Sequence, residues 1–221
     1  LQPHDLVVVY DASDVKERHE GICGTEEVEQ QESELVAQNG SEPNENCGPP
    51  QFLDLAIAND YQMVTKFGSV ANVITHNIAT MNAVQTNWDD DFVLPVTIQI
   101  LTQFVPSSPA GDPFTTSISR DAIFTSFLDW ALVGGFGTMD FDLAHWRSPR
   151  TIYNPSNQQI YGAAYQNGLC GFNTRFGIFS EVNALPLCGL RTVTSHEMGH
   201  SFGCPHSTGI MASPYAGCTD L

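Results

Sequence analysis

Between residues 52 and 60 the chain reads FLDLAIAND, with Leu53, Leu55 and Ile57 at every second position. Such alternation lines one face of a β-strand. The period then lengthens: Met63, Val64, Phe67, Val70, Ile74, Ile78, Met81 and Val84 recur three or four apart, predicting one long amphipathic helix. His76 lies within it, where a surface or capped polar role is the default. A second alternating run, PVTIQIL (95–101), predicts another strand, and SRDAIFTSFLDWALVGG (119–135) a second helix ending at glycines. MDFDLAHW, IYGAAYQ and FGIFSEV supply three further strand candidates, and a last helix is expected over about 189–202. No run approaches the ~20 apolar residues of a membrane-spanning helix.

Upstream, DLVVVYDASD (5–14) reads as a strand and turn, followed by an acidic stretch poor in large apolar groups and closed by Gly48, Pro49 and Pro50. This linker signature places a boundary near residue 50, dividing an acidic segment, 1–50, from a domain, 51–221. The whole length of 221 residues suits one substantial domain plus an extra segment. A first residue of Leu1 fits a processed or trimmed chain. Asn39-Gly40-Ser41 is a glycosylation sequon. Net charge is −17, and residues 1–60 carry 14 acidic and 2 basic side chains against 11 and 6 in the rest. That balance repels phosphate backbones and argues against a nucleic-acid partner.

The chemistry concentrates in HEMGHSFGCPH, residues 196–206. On a helix His196 and His200 project from one face about one turn apart, so two imidazoles can grip one cation. Six more residues of helix would carry His206 ~9 Å along the axis, so it can join only if the helix stops first. Gly203 is where the chain can enter the left-handed conformation and turn back. Glu197 stands beside the first histidine, free to act as a base on bound water. By composition alone the full pattern would arise in about 3 in 100,000 such chains, which sets aside unrelated histidines as its explanation.

With GIMASPY following at 209–215, these residues resemble the metzincin zinc endopeptidases, whose third histidine is followed by a methionine turn. The resemblance implies an α+β, metzincin-like fold: a twisted, mostly parallel sheet with an antiparallel edge strand, two long helices plus an active-site helix, and a small irregular C-terminal subdomain. It implies Zn2+ on His196, His200 and His206, with Met211 as the apolar floor. FLDLAIAND, DLAHW and IYGAAYQNGLC are most similar to the adamalysin (reprolysin) branch, in which IYGAAYQ would be the edge strand pairing with an extended substrate. Ser207 after the third histidine departs from the Asp usual there and matches matrix metalloproteinases. Only ten residues follow Met211, so the C-terminal helix usual in adamalysins is missing or removed. Asp54 and Asp142 occupy positions similar to ligands of a Ca2+ site, although isolated strand carboxylates are usually surface charges. Tyr215 lies four residues after the methionine, not two, so it is not expected to ligate zinc.

Six cysteines suit an oxidising, extracellular setting and leave fifteen pairings open. Short-range pairing would join Cys23 to Cys47, Cys170 to Cys188 and Cys204 to Cys218. Cys204 could instead ligate zinc, but three histidines suffice. The expected protein is a secreted, monomeric endopeptidase acting on protein or peptide, with Glu197 moving the proton of zinc-bound water. Two rivals remain at this level. One is a non-cleaving, zinc-stabilised binding module. The other is a latent zymogen, in which ICGTEE (22–27) resembles a cysteine switch with Cys23 on the zinc, NCGPP (46–50) being a second candidate. Residues 210–215 are expected to line one wall of the pocket beyond the scissile bond, Ile210, Pro214 and Tyr215 hinting at apolar tolerance.

Overall fold

The computed structural model describes residues 52–91, 96–182, 187–207 and 209–212. The strand expected at 5–14, the acidic segment, Cys23, Cys47, Pro214, Tyr215 and Cys218 lie outside them.

Five strands form the main sheet: β1 (Phe52–Asn59), β2 (Thr97–Phe104), β3 (Leu143–Ser148), β6 (Gly162–Ala164) and β7 (Phe176–Ser180), in the order β2-β1-β3-β7-β6. β2, β1, β3 and β7 are parallel, and β6 runs antiparallel to β7 at the edge. Helices α1 (Tyr61–Phe67) and α2 (Val70–Asp91) connect β1 to β2, and α3 (Arg120–Trp130) leads back towards β3. Right-handed crossovers taken in opposite directions along a sheet put their helices on opposite faces. The core divides accordingly. Leu53, Leu55 and Ile57 of β1 pack with Met81, Val84 and Trp88 of α2, whereas Ala56 and Ala58 meet Ile123, Phe124 and Phe127 of α3. Both faces of β1 are therefore buried, as parallel strands require. The last helix, α4 (Leu187–Ser201), lies on the α2 side, with Met198 in the same cluster and Phe202 edge-on to Trp88 at 5.3 Å.

The predicted long helix is broken. Gly68 adopts φ +83 and its N–H closes on Val64 O at 2.8 Å, ending α1 before α2 begins. The buried stripe of α2 is consequently rotated: Val73, Asn77, Thr80, Met81, Val84, Asn87 and Trp88 face inward, while Val70, Ile74 and Ile78 are half-buried. The predicted 119–135 helix keeps α-geometry only to Trp130 and continues as a π-turn over Ala131–Gly135, with Gly134 at φ +95. A hairpin of β4 (Ile152–Tyr153) and β5 (Gln159–Ile160) was not legible, being only two residues per strand.

Candidate active site

α4 carries His196, Glu197 and His200, all fully buried. Its end is a Schellman motif: Cys204 N–H donates to Gly199 O at 2.9 Å and Gly203 N–H to His200 O at 2.7 Å, with Gly203 at φ +89. This reversal returns His206 to the other two rings. His200 Nε2 stands 3.1 Å from His196 Nε2 and 3.2 Å from His206 Nε2. Tetrahedral bonds of about 2.0–2.1 Å to one ion would space their nitrogens by roughly 3.3 Å, close to what is found. Among the described residues these three histidines are the one group of three or more whose ligand atoms converge, all within 4.8 Å of one another.

Two backbone carbonyls settle which nitrogens face the centre. His196 Nδ1 lies 2.6 Å from Ile210 O and His200 Nδ1 2.8 Å from Cys204 O. A carbonyl only accepts, so each Nδ1 donates and each Nε2 presents a lone pair. Lone pairs at such separations repel unless a cation lies among them. Burial, joined by the neighbouring His200 and His206, outweighs the bond to Ile210 O and lowers the His196 pKa to about 3. The ring is therefore neutral at pH 7, the state in which imidazole ligates. A zinc ion fits this donor set.

Met211 is buried beneath α4, where a Cβ at Gly199 would come within 2.5 Å of its sulfur. Its carbonyl accepts from Ser207 N–H at 2.9 Å, closing the loop that supplies Ile210 O. Opposite, β6 passes over Glu197. Its continuation ties to the end of α4: Asn167 N–H donates to His200 O at 3.0 Å and Leu169 N–H to Ser201 O at 3.1 Å. The second bond satisfies a carbonyl that the helix end otherwise leaves unpaired, and the first gives His200 O a second donor beside Gly203 N–H.

Among the described residues Cys204 is an exposed, free thiol outside the converging group, as expected of a residue that does not ligate; the partner suggested for it, Cys218, lies outside the described residues. The place of Cys204 past the reversal leaves the centre to His206. Cys170 and Cys188 are disulfide-bonded. Asp54 and Asp142 do meet, with Asp54 N–H donating to Asp142 Oδ2 at 2.8 Å. Desolvation, then Asp142 and Asp140, raises the Asp54 pKa. His76 takes the capped polar role: it is half-buried, and its Nε2 lies 2.7 Å from Glu181 Oε2. Glu181 also accepts from Arg147 Nε at 2.8 Å, and the Arg147 guanidinium donates to Thr194 Oγ1 of α4 at 3.1 Å. Lys66 Nζ donates to Glu181 O at 2.7 Å. Sequence reasoning missed this network; the signal for it was a lone charge inside each of two apolar strand runs, LAHWRS and FGIFSEV.

A convergent imidazole trio on a helix and its reversal, set below the edge of a mostly parallel sheet, defines the site of a metallopeptidase. Residues 50–219 match the family described as Metallo-peptidase family M12B Reprolysin-like, and the chain belongs to that family. It is a zinc metalloendopeptidase of the adamalysin/reprolysin branch of the metzincins. It is similar to snake venom metalloproteinase TM-1 of Protobothrops mucrosquamatus, with 25% identity over 158 residues, 72% of this chain and 74% of that protein.

Proposed function

We propose that the protein is a secreted endopeptidase in which His196, His200 and His206 hold the zinc and Glu197 is the general base. The observation that carries this reading is the convergence of three Nε2 lone pairs, two fixed by carbonyls, with a fully buried carboxylate one residue from the first. Zinc bound there supplies Lewis acidity, lowering the pKa of a coordinated water towards about 7 and polarising the scissile carbonyl. Glu197 takes a proton from the attacking water and returns it to the departing nitrogen. The peptide lies along the outer edge of β6 as an added strand, held through backbone hydrogen bonds. Met211 keeps the floor beneath the ligands apolar, and half-buried Ile210 favours an apolar side chain beyond the scissile bond.

Glu197→Ala is expected to retain stoichiometric zinc while peptide cleavage falls at least about 100-fold. Metal analysis beside a peptide-library digest, with and without chelator, checks both parts. Undiminished, chelator-sensitive cleavage by that variant would remove Glu197 from the mechanism.

The finer reading extends to the domains. Residues 51–221 form the catalytic domain, and 1–50 an acidic propeptide remnant able to place Cys23 on the zinc. Six cysteines and a venom relative support export. Asp54 and Asp142 provide two carboxylates of a calcium site. Mapping the thiols in denatured, non-reduced protein tests the switch: a bridge between Cys23 and Cys47 opposes it, and a free thiol on Cys23 supports it.

A further inference from the structure

We propose that Gly162 is a positioning residue for the reaction: the missing side chain at this point of β6 sets where the Glu197 carboxylate stands. The inference rests on the role proposed above for Glu197. A Cβ built at position 162 would lie 2.6 Å from Glu197 Cγ, 2.8 Å from Oε1 and 2.9 Å from Cδ. Carbon atoms in ordinary contact sit at about 3.5–4.0 Å, so one methyl group would overlap most of the carboxylate arm and not merely its tip.

Glycine is not needed here for its own backbone. Gly162 is absent from the positive-φ residues, unlike Gly203 at φ +89, so alanine could adopt its conformation. The steric demand of Glu197 is what remains. Nor can either backbone withdraw. Gly162 is registered against Phe179 of β7, and Ser180 N–H donates to Tyr161 O at 2.8 Å. Beyond β6 the chain is bonded to the last turn of α4 through Asn167 and Leu169. α4 in turn is anchored by Met198 in the core and by Thr194 on Arg147. With both residues buried there is no solvent into which the carboxylate could swing. An added methyl group must therefore turn the Glu197 side chain and carry its oxygens away from the attacking water. Close placement is what general-base efficiency depends on.

The test is Gly162→Ala, alone and with Glu197→Ala, which ends at Cβ and so removes Cγ, Cδ and Oε1. The single variant is expected to keep one zinc per chain, with kcat reduced at least about tenfold, KM changed by less than about twofold and the acidic limb of the pH–rate profile displaced. Its metal-free form should melt below the parent. In the Glu197→Ala background the same substitution should leave the melting temperature unchanged, because the overlapping atoms are gone. A kcat within twofold of the parent overturns the proposal. So does an equal loss of melting temperature in both backgrounds, or failure of the double variant to fold. Should Glu197→Ala itself remain active, the general-base reading falls, while the melting temperatures still report whether Gly162 and Glu197 compete for space.

Discussion

Gly203 shows how much one residue can carry. Its φ of +89 ends α4, and a Cβ there would also strike Asn167 Oδ1. Gly203→Ala thus meets two penalties, the left-handed conformation at about 1–2 kcal/mol and the contact with Asn167. Because His206 reaches the centre only through this reversal, the loss should fall on metal retention more than on the sheet. Zinc release to a competing chelator is expected to rise at least about tenfold, while the circular-dichroism spectrum of the metal-free protein stays near that of the parent. Unchanged zinc retention would mean that His206 finds its place without the turn.

Between elements, one buried carboxylate ties β3 and the end of β7 to α1 and α2. Glu181 follows β7, receives Arg147 of β3 and His76 of α2, and its carbonyl receives Lys66 of α1. Arg147 passes the contact on to Thr194, two residues before the first histidine of the centre. Burial pushes the Glu181 pKa up, but Arg147 and His76 more than offset it, leaving the value at about 2 against an ordinary 4.5. A depressed carboxylate pKa means that the native state holds the ionised form more firmly than the unfolded chain does. Its stabilisation is complete above about pH 4.5 and disappears as pH falls towards 2. Glu181→Gln should therefore be destabilised by about 3 kcal/mol or more at neutral pH, since it leaves Arg147 buried without its counter-charge. The gap from the parent should narrow between pH 4.5 and 2 in chelated protein. Denaturant titrations across that range measure it; a gap independent of pH would show that Glu181 does not titrate as an ionised partner.

For the molecule as a whole, what the sequence disclosed was local and periodic. Leu53, Leu55 and Ile57 announce β1 by alternation, and the reversal at Gly203 follows from spacing between His200 and His206 alone. Contacts between distant positions were silent: nothing near Gly162 points to Glu197, and His76 gives no hint of Glu181, because the sheet order β2-β1-β3-β7-β6 brings them together. The break at Gly68 was masked by apolar residues that continue the helical period across it. The same division predicts how metal and stability are linked. The sheet and α2, α3 and α4 share buried clusters that owe nothing to the histidine centre, whereas residues 203–207 and 209–212 are held to α4 by His196 on Ile210 O, by the helix reversal and by Met211 under Gly199. Removing zinc leaves three lone pairs facing one another in this thinner layer. Zinc at 100 times its dissociation constant stabilises the native state by about 2.7 kcal/mol, so chelation should lower the melting temperature by several degrees. Hydrogen exchange should accelerate first in 203–212, with β1, β3 and β7 still protected. If chelated protein melts at the original temperature, or if its sheet exchanges as early as the loop, the centre is not coupled to the fold in this way.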